Sequence, residues 1–549
     1  MKIKPVFVGI AVVGVLLLVL SLSAVGKIFG ANPRDVLAGV KTQPLAVKFL
    51  PQRSPLFVSF LVNPDKLALF TQLAAKPSDR GDVRHELANL RQQLQQNWLL
   101  DYDRDIQPWL DQEITLAVTD VDLDQQPANG LQTGYLLAFA AKDAELAKTS
   151  IDAFWQRLAV NGSDLGFEQY QGISILNTSF AEDKPAIAGT TLDKFVLFAN
   201  DTRVLHKAID ALQKPDLSLM NLENYRDRLA QFNTGKNVGK VGVAYINLAE
   251  LGEELPKESL LMSLSFDKSG IRAKTALNLA SEKLETVVDT QTPKLKTPPK
   301  NSGNIANKIP LANSVIIGNN LGETLQGLQN TLLPEWKQSL IKTIAPITLD
   351  SSTLAWAQHD YAIALLPKAN HDLDWLLVAK VEDANVTKEA IANLDRLVRN
   401  KLTVGEISLK AQPVTIWTNL SANDNSGVSG NVVAAHTQTK DYVYLSNSLA
   451  VLEASLTLKN SESITASKLF KTISAKLPSD RLTYGYIDKN LDLSWVQTSL
   501  LNFKSTSEIT QNISNSPLAK PLNHMEVSGF AITSSDKSMH NGELFLILK

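Results

Sequence analysis

Leu56-Phe57-Val58-Ser59-Phe60-Leu61-Val62 is an apolar run of strand length, closed by the turn signal Asn63-Pro64-Asp65. Beyond it, Val83, Leu87, Leu90, Leu94 and Trp98 recur at helical spacing, with Arg91, Gln92, Gln95 and Gln96 on the other side, which predicts a surface helix. Strands are expected over 113–121 and 134–140. Ala147, Ile151, Phe154 and Leu158 then stripe a helix. Short strands cluster over 167–199, helices follow near 201–213 and 221–231, and strands close the block at 239–246, 260–267 and 271–279. Hairpin-like neighbours dominate and no regular βαβ alternation emerges. The fold class expected is therefore α+β with largely antiparallel sheet.

The same plan recurs from about Ile309 to Lys549. Ile106, Pro108, Thr115, Leu116 and Ala117 match Ile344, Pro346, Thr353, Leu354 and Ala355 at one offset. Tyr135-Leu136-Leu137 meets Trp375-Leu376-Leu377, and Asp143, Ala144, Lys148 and Ile151 meet Asp383, Ala384, Lys388 and Ile391. Phe195-Val196 with Asn200, Val204 and Leu205 parallels Tyr442-Val443 with Asn447, Val451 and Leu452. Tyr245-Ile246-Asn247 parallels Tyr486-Ile487-Asp488. Asp267-Lys268-Ser269 and Asp536-Lys537-Ser538 each separate apolar strands, as hairpin turns do. Two tandem, structurally similar repeats are expected, over 49–280 and 309–549. The stretch 281–308, with Pro293, Pro298 and Pro299, reads as a linker, and Lys504 to Pro521 as a loop insertion.

The polar residues that recur stand where strands give way to helices, so Asp143 and Asp383, Asn200 and Asn447, and Asn247 and Asp488 are expected as caps. Lys148 and Lys388 are expected on solvated helix faces. The recurring aromatics Tyr135, Trp375, Tyr245 and Tyr486 are expected in the core.

At the N-terminus Met1-Lys2-Ile3-Lys4 precedes an uncharged, mostly apolar run from Pro5 to Gly26, closed by Lys27. Its length matches one bilayer crossing of about 20 helical residues, which favours an uncleaved transmembrane anchor (1–26) over a cleaved signal at Ala24-Val25-Gly26. A tether over 27–48 follows. The basic n-region ahead of the span favours an N-in orientation, although Lys27, Arg34, Lys41 and Lys48 stand on the other side. The bulk of the chain is then expected on the periplasmic or lumenal side of a plasma or thylakoid membrane.

Composition narrows the chemistry. With no cysteine among 549 residues, disulfides, thiolate nucleophiles and Cys-based metal sites are excluded. The net charge is −2, from interspersed charges, so no electrostatic footprint for nucleic acid exists.

Sequence motifs give no reaction. Asp120-Val121-Asp122-Leu123-Asp124 starts like a calcium loop, but Gln125 and Leu131 stand where Gly and Glu are required, so an acidic hairpin connection is expected. Ser339-Leu340-Ile341-Lys342 matches Ser-x-x-Lys without companion motifs. Gly235 to Lys240 reads as a turn, not a phosphate loop. His359-Asp360 with His371-Asp372 and Asp374 would make a zinc cluster only if a hairpin brought them together; exposed turn residues are the expectation. No catalytic, metal or cofactor residue is nominated, and no cofactor is expected.

The apolar N-terminal run, the opening Pro55-Leu56-Phe57-Val58-Ser59-Phe60 with Asn63-Pro64, and the two-fold plan resemble a bacterial family catalogued as domain of unknown function 3352. The resemblance covers most of the chain, and it implies a membrane-anchored protein without an assigned activity. The function expected is a membrane-tethered binding or assembly scaffold acting through sheet faces or the cleft between repeats, with a protein or lipid partner. The alternatives are an exported hydrolase whose site is assembled from distant residues, and a carrier of an apolar lipid or pigment.

Overall fold

Every residue of the strand Gly134–Ala141 is buried, so alternation cannot be read as one wet and one dry face. Leu136, Ala138 and Ala140 point into one hydrophobic core, while Leu137, Phe139 and Ala141 point into another on the opposite side. Such a strand needs a helical cover on both faces of its sheet.

A computed structural model supplies the rest of the architecture. It describes residues 43–63, 99–126, 131–178, 186–232, 240–251, 259–267, 270–278, 302–321, 355–367, 373–422, 428–488, 525–535 and 539–548, with residues 65, 88, 91, 92, 94–96 and 129. The apolar N-terminal run, most of the helix expected around Val83–Trp98, Ser339–Lys342 and the insertion 504–521 lie outside the described residues.

In the first half the strands are β1 (Leu56–Phe60), β2 (Leu110–Asp120), β3 (Gly134–Ala141), β4 (Leu165–Tyr170), β5 (Ile173–Thr178), β6 (Ala188–Leu192), β7 (Phe195–Ala199), β8 (Lys240–Asn247), β9 (Ser259–Asp267) and β10 (Gly270–Asn278). The helices are α1 (Ala144–Val160), α2 (Thr202–Gln213) and α3 (Glu223–Phe232). The second half holds α4 (Ser302–Ala306), β11 (Ser314–Asn319), β12 (Asp360–Pro367), β13 (Leu373–Lys380), α5 (Ala384–Val398), β14 (Thr403–Leu409), β15 (Gln412–Ala422) and β16 (Val428–Gln438). It continues with β17 (Tyr442–Ser446), α6 (Leu449–Leu456), α7 (Lys468–Lys476), β18 (Thr483–Asp488), β19 (Met525–Ser535) and β20 (Met539–Leu548).

Among the described residues all strand pairings are antiparallel and join into one 20-stranded sheet. Across the first half its order is β4-β5-β6-β7-β3-β2-β1-β8-β9-β10. From β10 it passes to β20 and continues as β19-β18-β11-β12-β13-β17-β16-β15-β14. Read inward from either end, the order is the same with ten added to each number. The α+β, antiparallel expectation is met. The two stretches expected as separate repeats nonetheless share one sheet through β10 and β20.

Helices cover both faces. In the first half α2, α3 and the 3-10 turn Ala46–Phe49 lie over one face, and α1 lies over the other with Ile151, Phe154, Trp155 and Leu158 inward. In the second half α4, α6 and α7 cover one face and α5 the other, through Ile391, Leu394 and Val398. Binding through open sheet faces is therefore not available over β3 and β13.

Ala46 and Val47, at the end of the stretch expected as a tether, and Phe49 just beyond it are fully buried, and Ile305 and Ala306, within the stretch expected as a linker, are buried too. Thr353 and Leu354 lie outside the described residues, and Ala355 opens a 3-10 turn rather than a strand. The strand in the matching place is β12, whose Leu365 faces Trp375 as Val118 faces Tyr135.

Candidate functional site

A duplicated site would have to use the polar residues that recur in both halves. Asp143 caps α1 by accepting from the Leu146 N–H at 3.0 Å. Asp383 caps α5 by accepting from the Asn385 and Val386 N–H groups at 2.8 and 3.0 Å. Lys148 and Lys388 are exposed. These expectations hold because capping is local, set within one helical turn.

Asn200 and Asn447 are not caps. Asp201 and Ser448, one residue later, cap α2 and α6. Asn200 Oδ1 instead accepts from the Tyr135 N–H at 2.7 Å, and its Nδ2 donates to the Thr133 carbonyl at 2.8 Å. Asn447 Oδ1 accepts from the Trp375 N–H at 2.8 Å. Each asparagine thus pins the first turn of a covered strand, at the aromatic position that recurs in both halves. Asn247 precedes the 3-10 turn Leu248–Glu250 but makes no side-chain cap to it. The Asp488 side chain lies outside the described residues. Tyr245 and Tyr486 are buried in the core, as expected.

The halves differ beneath α1 and α5. Asp395 Oδ1, on α5, accepts from Trp417 Nε1 at 2.7 Å and lies 2.8 Å from His436 Nε2. The indole and imidazole rings meet edge-on, 5.4 Å apart. His436, on β16, is 5% exposed and faces Leu445 of β17. In the first half Gly189 of β6 faces Phe198 of β7, and Trp155 of α1 lies above it so closely that a Cβ on Gly189 would sit 2.8 Å from the indole. One half fills this place with aromatic rings. The other fills it with an Asp–His–Trp cluster.

A second polar interior lies under α3. Glu113 is fully buried on β2, and its carboxylate accepts from the Leu45 and Ala46 N–H groups at 3.0 and 2.7 Å. Thr115 Oγ1 stands 3.4 Å from the same carboxylate and 2.7 Å from Ser59 Oγ. Arg228 of α3, also buried, donates to the Asn224 carbonyl at 2.6 Å and to both Ser259 oxygens at 3.0 Å. Burial lowers the pKa of its guanidinium. These groups hold α3 and the Ala46–Phe49 turn to the sheet, because a buried charge is tolerated only when hydrogen-bonded. The sequence carries no distinct signal for them, since Glu113 follows Asp111 and Gln112, and Arg228 follows Arg226 and Asp227, in segments that read as ordinary polar surface. Lys240, at the bulge that opens β8, is buried as well, and burial pushes its amine down to about 8.

The remaining motifs do not assemble. Asp124 accepts from the Gln126 N–H, Asn129 Nδ2 and Gln132 Nε2 at 3.0, 2.8 and 2.6 Å. Asp122 accepts from the Gln132 N–H at 3.1 Å, and Lys207 bonds Asp120. The hydrogen bond from Asn129 is the first cause holding the Asp124 carboxyl below its ordinary range. In this acidic connection Asp122 and Asp124 are held by amides of the connection itself and Asp120 is paired with Lys207. Asp360 and Asp374 stand near opposite ends of the β12–β13 hairpin, since Asp374 faces Leu366. Six strand residues at about 3.4 Å each put them about 20 Å apart. That separates two of the residues a zinc cluster would need, and His371 and Asp372 lie outside the described residues. Among the described residues no three His, Asp or Glu side chains form a metal-holding group. Gly235 to Gly239 also lie outside the described residues.

Comparison with known proteins adds little chemistry. No curated protein matches the chain. Two crystal forms of a protein designated TP0453 are similar to part of it. Form III has a TM-score of 0.24 and 11% identity over 44% of this chain and 82% of that one. Form I gives 0.25 and 12% over 44% and 81%. Likeness at this level carries no argument about fold or function. A family model, by contrast, spans nearly the whole sequence, matching residues 10–548: the chain belongs to the family described as protein of unknown function DUF3352.

Proposed function

We propose that the chain is a membrane-anchored, extracytoplasmic binding or assembly scaffold without catalytic activity, built from two tandem repeats of one α+β unit. The observation that carries this reading is the strand order, which repeats in the two halves and runs through one sheet. Asp143 and Asp383, and Asn200 and Asn447, support it by spending their shared side-chain chemistry on caps and strand ends.

The anchoring part rests on the apolar run Pro5–Gly26. Among the described residues no helix is long and apolar enough to cross a membrane, and that run lies outside them. Alkaline phosphatase fused after Lys549 is expected to be active; an inactive fusion beside an active cytoplasmic reporter would overturn the topology. Purification of the full chain in mild detergent is expected to retain a protein or lipid partner, and a bare monomer would count against the binding role.

One observation favours a second reading, the exported hydrolase. Asp395 and His436 come from distant segments and form two members of a charge-and-base set. Among the described residues no hydroxyl is hydrogen-bonded to the His436 ring, which places this reading second. Labelling by a serine-reactive probe that disappears in His436→Ala would promote it above the scaffold.

A further inference from the structure

The β10–β20 seam pairs nine residues of each strand, from Gly270 with Ile547 to Asn278 with Met539. The middle residue of nine therefore faces the middle residue of its partner. Here Lys274, fifth in β10, faces Glu543, fifth in β20. Arg272 reinforces that polarity from the first half. Its guanidinium forms an ion pair with Glu543, donates to the Lys476 carbonyl of α7 at 3.0 Å, and lies 5.3 Å from the centre of the Phe545 ring.

The position matters because of what each edge could otherwise join. Each half ends on a hairpin, and without the other half the outer strand would present a long row of backbone donors and acceptors, the template for edge-to-edge pairing. In this register two copies of β10 would set Lys274 against Lys274. Two copies of β20 would set Glu543 against Glu543. Like charges directly opposite on a sheet are unfavourable, and opposite charges are favourable.

We propose that the seam is a charge-coded interface: basic Arg272 and Lys274 on one edge and acidic Glu543 on the other select pairing of the two unlike halves and reject pairing of like edges between copies. The partner each edge fits is the last strand of the opposite half, within the same chain. The inference concerns assembly of the body and stands whether or not the anchoring and binding reading holds.

The absence of cysteine allows a direct test in the full chain. Ala273→Cys with Leu544→Cys places a thiol pair at facing positions of the seam. Oxidation is expected to give an intramolecular cross-link in an otherwise native, monomeric chain. Adding Glu543→Lys is expected to abolish that cross-link, while Glu543→Gln, which removes the charge without reversing it, keeps it. Arg272→Glu and Lys274→Glu added to Glu543→Lys are expected to restore it. Undiminished cross-linking with Glu543→Lys, equal loss with Glu543→Gln, or failure of the triple reversal to restore it would each overturn the proposal.

Discussion

At the scale of single residues, Asn447 shows how a half-buried side chain serves the backbone of a buried strand. Its side chain supplies the acceptor for the Trp375 N–H, as Asn200 does for Tyr135. Replacing Asn447 by Ala leaves that N–H without its acceptor, and urea unfolding is expected to show a loss of about 1–3 kcal/mol. Lys240 gives a test with a sign. Burial brings its amine from 10.5 to about 8. Between those values the unfolded chain holds a proton that the folded chain has released, so stability rises with pH across the window. Below about pH 8 both states are protonated and the burial penalty is felt in full. The stability difference between wild type and Lys240→Met is expected to move in favour of wild type from pH 8 to 10.5, read from melting temperatures. A flat difference would mean that the amine titrates normally. The caps Asp143 and Asp383 were legible because their partners are two or three residues away. Asn200 was not, since its partners lie 65 and 67 residues back along the chain.

Turn geometry decides the behaviour of individual elements. The β4–β5 connection is Gln171-Gly172 and the β14–β15 connection is Lys410-Ala411, and all four residues have positive φ. A two-residue hairpin loop of this kind suits Gly or Asn, because a Cβ in the left-handed region is strained. Ala411, at φ 64°, is the misfit. Ala411→Gly is expected to stabilise the chain by up to about 1 kcal/mol, despite the entropy that glycine adds to the unfolded state. Gly172→Ala is expected to destabilise it by about 1–2 kcal/mol. A Cβ at Gly172 would meet no atom within 4 Å, so any loss there reports backbone conformation alone. Element types were largely readable. The helices expected near 201–213 and 221–231 fall at Thr202–Gln213 and Glu223–Phe232, because turn residues bracket strong apolar stripes. The offset that pairs Ala117 with Ala355 sets a strand residue against the first residue of a 3-10 turn. Small and β-branched residues recur in many strands, and the connection after β2 is longer than the one after β12, so one constant spacing does not carry across this stretch.

For the molecule as a whole, the sequence indicated two like blocks but not how they meet. β10 and β20 are more than 260 residues apart, and nothing local marks a strand edge as open. Only the fold shows that both blocks leave an edge where the other can continue it. The Asp395–His436–Trp417 cluster was hidden for the same reason: three segments of one half converge under α5. The repeat pattern drew attention to shared residues, and this cluster lies where Asp395 and His436 replace the aromatic packing around Trp155 and Gly189. The two halves form one continuous sheet. Amide hydrogen exchange across β10 (Gly270–Asn278) and β20 (Met539–Leu548) tests it most directly. Protection matching that of the inner strand β1, and well above that of the end strands β4 and β14, is expected. Exchange of β10 and β20 as fast as those end strands would contradict it.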